Sequence, residues 1–234
     1  FMNKYLKIQH PLKGLINFNT FDFQDDCVKD FNDYRFNIIL KSRQLGLCTL
    51  VAAYAVWQSV FYKDKNILII ATKLAVAQNF IRKVKTYIKS MPKWLLVPII
   101  TANNKQQIEF SNGSQIKAVP TSEDAGRSEA LSLLIVDEAA FVRNFDELWM
   151  GLYPTLSTGG RAIILSTPNG VGGQYHEIYS KSERKENEFN SIKLMWDVHP
   201  ERGDDWFNKE TKNMSKKQIS QELLCDFASS GDTF

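Results

Sequence analysis

Short apolar runs alternate with helix-period segments along this chain. Ile38-Ile39-Leu40 leads into a polar loop over 41–46, after which 49–62 reads as a mostly apolar helix. A second run, NILIIA at 66–71, precedes an amphipathic helix over about 74–90 that Pro92 helps to end. Leu133 to Val136, Ala162 to Leu165 and Ser191 to Met195 supply three more strand candidates. Runs that are apolar on both faces and separated by helices predict an α/β fold, a mostly parallel sheet with helices on both faces.

One segment breaks the rhythm. Two alternating strands flank Ser-Asn-Gly-Ser within 107–119, a strong hairpin signal that predicts a hairpin inserted at the sheet's edge. From about Asp204 onward the chain is polar and helical in period. This divides it into a core over 1–203 and a small C-terminal lid over 204–234, with which the N-terminal segment can pack. Composition adds limits rather than direction. With 44% hydrophobic residues among 234, a sizeable core can be buried. No apolar run approaches the roughly 18 residues of a membrane-spanning helix, so no membrane partner is expected. A net charge of +3 permits a nucleic-acid partner without requiring one. Cys27, Cys48 and Cys225 are widely spaced with no CxxC, which fits a reducing cytoplasm and argues against disulfides or structural zinc. His10, His176 and His199 are equally scattered and show no metal-ligand spacing.

Three strand ends carry candidate chemistry. Leu133-Leu134-Ile135-Val136 brings Asp137 and Glu138 to the carboxyl edge of the sheet, where open α/β sheets bind ligands. An aspartate there can hold Mg²⁺ and the next glutamate can polarise water, although a strand ending in a solvated acidic turn gives the same pattern. The second end is Lys41-Ser42-Arg43-Gln44-Leu45-Gly46-Leu47-Cys48-Thr49, laid out as strand, loop and helix start. Phosphate loops share that layout because loop amides and a helix N-terminus receive anions. The usual GxxxxGK[ST] pattern fails, with Leu47 at the lysine place, Cys48 at the hydroxyl place and no opening glycine. Lys41 can curl back over the phosphates, or with Arg43 can be a solvated turn residue. A neutral thiol is a poor Mg²⁺ ligand, so either Thr49 supplies the oxygen or water and Asp137 carry more of the coordination. The third end, Ile163-Ile164-Leu165-Ser166-Thr167-Pro168-Asn169-Gly170, places two hydroxyls before a turn. Lying between the other two strands it can sense a γ-phosphate; a plain strand exit accounts for it equally.

These three segments, in this order and spacing, resemble the ATPase domain of tailed-phage terminase large subunits, the DNA-packaging motors. The resemblance runs over about 23–231. It implies a RecA-like (ASCE) P-loop NTPase with ATP and Mg²⁺ as cofactors. It matches Lys41 to a deviant Walker A lysine that opens the loop, Arg43 to a loop arginine, Asp137 to the Walker B aspartate and Glu138 to the catalytic glutamate. Ser166 and Thr167 match the coupling motif. Phe23-Gln24 resembles the adenine-recognition element, whose glutamine amide can read the adenine edge. Arg127 matches an arginine that acts in trans on a neighbouring subunit's site; a local salt bridge to Glu123 or Glu129 remains the other reading. Cys48 departs from the family's serine or threonine.

The resemblance further implies double-stranded DNA, a portal protein and a small terminase subunit as partners, in the host cytoplasm. It implies a homo-oligomeric ring on the procapsid, with a monomer expected in isolation. The nuclease domain that follows in full-length terminases is expected to be absent here, and nuclease activity with it. A helicase-like translocase and a catalytically weak nucleotide- or DNA-binding scaffold are the alternatives. The basic clusters Arg82-Lys83-Lys85 and 181–185 can contact DNA phosphates or serve as solvated helix faces.

Overall fold

The apolar runs become the strands of one sheet in a computed structural model that describes residues 1–121 and 129–231. In chain order the elements are α1 (Met2–Tyr5), β1 (Lys7–His10), β2 (Gly14–Asn17), α2 (Asp22–Asp33), β3 (Phe36–Lys41), α3 (Leu47–Phe61), β4 (Asn66–Ala71) and α4 (Leu74–Ser90). They continue with β5 (Ile100–Asn103), β6 (Gln107–Phe110), β7 (Gln115–Pro120), β8 (Leu133–Asp137), α5 (Phe145–Leu152), β9 (Arg161–Ser166), α6 (Gly173–Glu183) and β10 (Phe189–Leu194). The short helices α7 (Asp204–Glu210), α8 (Lys216–Glu222) and α9 (Phe227–Ser230) follow.

Eight strands of the described residues pair in the order β10-β3-β9-β8-β4-β7-β6-β5. The six from β10 to β7 are parallel, whereas at the edge β6 pairs antiparallel with both β7 and β5. Parallel strands need crossover helices, so both faces of the central strands are covered and their interior residues are mostly apolar. All six residues of β3 and all five of β8 are buried. One apolar layer joins the sheet to α2, α3 and α4; the other joins it to α5 and α6. This is the predicted α/β, RecA-like architecture, and β9 does lie between β3 and β8.

Helix α3 is apolar nearly all round because it lies between sheet and neighbouring helices, with ten of its residues buried. The sheet's edge carries the predicted hairpin, β6–β7, extended by β5 into three strands. Its turn uses Gly113 at φ +80, with Gly113 N–H donating to Phe110 O and Phe110 N–H to Ser114 O. That is a three-residue loop closed by a left-handed glycine rather than a two-residue Asn-Gly turn.

The N-terminal hairpin β1–β2 seats on α4. Lys7 N–H donates to Ser90 Oγ at 3.2 Å, and the Phe18 and Tyr87 rings stack at 6.2 Å. Further along, Phe21 meets the His199 ring at 4.5 Å, just before the C-terminal helices. The end of α8 meets the loop after β3, where Glu222 O accepts from Arg43 N–H at 2.8 Å. Ser215 caps α8 by accepting from Gln218 N–H, and Gln218 Oε1 accepts from Ser215 N–H in return.

Candidate active site

The loop after β3 is shaped by two left-handed residues, Gln44 at φ +59 and Gly46 at φ +74. Gly46 is required twice over. Its φ favours glycine, and a Cβ there would lie 2.8 Å from Gln24 Nε2. Gln24 is buried, and its amide is a strut: Oε1 accepts from Phe21 N–H and Nε2 donates to Leu45 O at 2.9 Å. Adenine reading would therefore have only the second Nε2 hydrogen and a spare lone pair to use.

Among the described residues the N–H groups of Gln44, Leu45, Gly46, Leu47 and Cys48 have no protein acceptor. The last two open α3, whose dipole places partial positive charge at the same point. A run of free amides around left-handed residues is an anion-binding nest. Ser42 and Arg43 are tied down instead: Ser42 N–H donates to Leu194 O at 2.7 Å, Ser42 Oγ to Glu222 O at 2.9 Å and Arg43 N–H to Glu222 O at 2.8 Å.

Parallel register aligns the strand ends, with Leu40 opposite Ser166 and Leu165 opposite Asp137. Lys41 closes β3 buried, and its Nζ donates to Glu138 Oε1 at 2.8 Å. Burial alone would pull the Lys41 pKa down; the charges of Glu138 and Asp137 outweigh it and the net direction is upward. Glu138 itself adopts φ +53, a left-handed conformation costly for a non-glycine residue and typical of sites where geometry serves chemistry.

Asp137 is buried at 3% exposure. Burial and the neighbouring Glu138 charge raise its pKa, against the opposing Lys41 charge and the Cys48 hydrogen bond. The Cys48 thiol sits 3.3 Å from both Asp137 oxygens. Burial, then the Asp137 charge, push that thiol up to about 12, so it is neutral at physiological pH. Thr49 does not share this position. It lines a separate groove with Gln9, Asn79, Lys83 and Thr86, and its carbonyl accepts from Tyr87 Oη at 2.9 Å. Of the two expected ways to make up for the missing hydroxyl, Thr49 or water with Asp137, the placement of Thr49 does not favour the first: the side chain facing Asp137 is Cys48.

Ser166 and Thr167 are buried at the end of β9. Ser166 Oγ accepts from Ala140 N–H at 3.1 Å, which ties this strand to the turn after Glu138. Thr167 lines a cavity of about 420 Å³ together with Arg43, Thr72, Lys73, Glu138, Phe141 and Glu222. A space of that size at the carboxyl edge is suited to a small polyanionic ligand.

The family model described as terminase large subunit, T4likevirus-type, N-terminal, matches residues 38–234. The chain belongs to that family. Among solved structures it is similar to the large terminase ATPase domain of Thermus phage P74-26, with a TM-score of 0.76 at 19% identity over 90% of this chain and 94% of that one. It is also similar to a thermophilic bacteriophage's large terminase in complex with ADP, with a TM-score of 0.68 at 13% identity, covering 85% of this chain and 49% of that chain. The HK97 bacteriophage large terminase matches with a TM-score of 0.68 at 14% identity, over 95% of this chain and 46% of that one. The terminase fold is thus shared, and this chain spans about half the length of the latter two.

The expected terminase residues fall into three groups. Lys41, the loop to Cys48, Asp137, Glu138, Ser166 and Thr167 converge on one edge of the sheet. Gln24 lies beneath the loop. Arg127 lies outside the described residues. Sequence reasoning passed over Thr72 and Lys73, which follow β4 into the cavity, although a Thr-Lys after an apolar run at a helix start was a visible signal. It also missed Glu222 and Arg202, whose contacts with the loop span 180 and 159 residues and leave no local pattern. The basic clusters look local: Lys181 pairs with Glu177, Arg184 with Glu186, and Lys85 donates to Asn104 O.

Proposed function

We propose that this terminase domain hydrolyses ATP at the cleft over β3, β8 and β9 and that the cycle drives double-stranded DNA into a viral procapsid. The observation that carries the reading is a loop with five free amides whose two ends meet the acidic pair, Lys41 at Glu138 and Cys48 at Asp137. The phosphates would lie against the amides of 44–48. Lys41 then exchanges Glu138 for phosphate oxygens, which frees the Glu138 carboxylate to orient the attacking water. The Lys41–Glu138 ion pair is on this reading the contact that phosphate displaces.

The donor set suits a hard divalent cation at one place and not at another. A buried carboxylate with a raised pKa gains from a bound cation, so Asp137 fits Mg²⁺; the neutral Cys48 thiol does not, and water takes its place. Mg²⁺ would supply neutralisation of the β- and γ-phosphate charge. Arg43, exposed at the cavity's rim, and Arg127, acting from a neighbouring subunit, are the candidates for stabilising transition-state charge. Ser166 and Thr167 would report γ-phosphate loss, and the C-terminal lid over 204–234 would move in response. Gly170 N–H donates to Ser230 Oγ at 2.9 Å, which supplies a direct tie between that strand's exit and the lid.

The working assembly would be a ring on the procapsid's portal, loaded by the small terminase subunit in the host cytoplasm, with the isolated domain monomeric. Phosphate release from ATP, with and without Mg²⁺, tests the reading: Mg²⁺-dependent release supports it. Nucleotide binding with no release under any condition favours instead the scaffold reading, to which Leu47 and Cys48 give some footing.

A further inference from the structure

The phosphate loop lacks an opening glycine, yet it turns through a left-handed residue at Gln44, φ +59. For a side chain that cannot easily mimic glycine this conformation is strained and must be held by its surroundings. The holder is visible. Arg202, from the segment entering α7, donates from Nη1 to Arg43 O at 3.2 Å and from Nη2 to Gln44 O at 2.9 Å. These are the carbonyls on either side of the Gln44 torsions.

The consequence follows from peptide geometry. In a planar trans peptide the C=O and N–H point in opposite directions. A fork that fixes Arg43 O and Gln44 O therefore aims the N–H groups of Gln44 and Leu45 at the opposite side of the loop, where they have no acceptor among the described residues. The guanidinium is itself braced. It lies 4.5 Å over the Trp206 ring, which stacks on Trp196 at 6.0 Å. Burial lowers its pKa, but a guanidinium remains charged. No acidic side chain of the described residues forms a salt bridge with it.

We propose that Arg202 is a positioning residue of the phosphate loop, a fork that reaches over from the C-terminal segment and keeps the Gln44 and Leu45 amides aimed at the phosphates. The C-terminal segment thereby sets phosphate affinity directly, without passing through Ser166-Thr167. This inference rests on the reading of the loop as a nucleotide site.

The test is equilibrium binding of the slowly hydrolysed analogue ATPγS to the whole chain, with thermal unfolding followed in parallel. Arg202→Ala should weaken binding by about tenfold or more, the loss expected for charged hydrogen bonds that order a binding loop. Arg202→Lys should recover little of it, since an ammonium cannot span both carbonyls in one plane. Trp206→Leu, which removes the brace alone, should weaken binding in the same direction and serves if Arg202→Ala does not fold. The decisive variant is Gln44→Gly, because glycine adopts the turn unaided. In that background Arg202→Ala should cost less than about threefold. Unchanged binding by Arg202→Ala, or an equal loss in both backgrounds, overturns the proposal. Failure of the wild-type chain to bind ATPγS is a distinct result, which overturns the nucleotide site and this inference with it.

Discussion

Lys41 Nζ donates to Glu138 Oε1 across 2.8 Å, but the partners are unequally placed: the lysine side chain is 5% exposed and the glutamate 31%. Removing either therefore has different consequences. Lys41→Met leaves Glu138, which can rehydrate, and Asp137, which can take up a proton, at a cost of about 1 kcal/mol, whereas Glu138→Ala leaves a buried ammonium with only Asp137 beside it, at about 3 kcal/mol. Urea unfolding of both variants checks the order. The raised Lys41 pKa adds a pH signature. Its contribution is fully present below the ordinary lysine value and is lost as pH rises through the folded value. The wild type should show this alkaline loss and Lys41→Met should not.

A buried carboxylate with a raised pKa such as Asp137 costs the fold stability once it ionises. Its folded pKa is raised by burial first and by Glu138 second. The cost therefore sets in as pH rises through the ordinary carboxylate range toward the folded value, and persists above it. Asp137→Asn should stabilise the fold by about 1 kcal/mol at neutral pH. The gain should fade at pH values below the ordinary aspartate pKa. Mg²⁺-dependent turnover should fall by at least about a hundredfold. Thermal unfolding against pH and a phosphate-release assay measure the two arms.

Cys48 is a neutral thiol at physiological pH, facing both oxygens of Asp137. Cys48→Ser puts a hard oxygen donor in its place. The Mg²⁺ concentration needed for half-maximal turnover should fall by about threefold or more. An unchanged metal dependence would remove Cys48 from the neighbourhood of the ion.

Gly46 carries two constraints that substitution separates. Gly46→Ala should destabilise the protein by about 1–2 kcal/mol through its left-handed φ. It also drives a Cβ toward Gln24 Nε2. Gln24→Ala removes the contact together with the strut, so Gly46→Ala should cost less in the Gln24→Ala background than in the wild type, and still not zero. Denaturant titration of the three variants measures the split.

Much of this arrangement was legible in the chain because it is written locally. Apolar runs such as Leu133 to Val136 mark strands buried on both faces, and the residues that follow each run necessarily arrive at one edge of a parallel sheet. That is why Lys41, Asp137 and Ser166 could be grouped before any coordinates. The loop's details were less legible. Gln24 suggested a reader of adenine; that its amide also braces the loop through Phe21 and Leu45 has no local signature. Thr49 and Cys48 are neighbours in sequence, so only the rotation of α3 decides which one faces Asp137. Arg202 and Glu222 grip the loop from the far end of the chain, where no spacing rule connects them to it.

The central claim is that Glu138 activates water for ATP hydrolysis at this site, and one variant tests it most directly. Glu138→Gln keeps the shape and one acceptor for Lys41 but removes the carboxylate. Measured together on the same preparation, ATP binding should stay within about threefold of wild type while steady-state phosphate release falls by at least about a hundredfold. Near-normal phosphate release by Glu138→Gln would contradict the account.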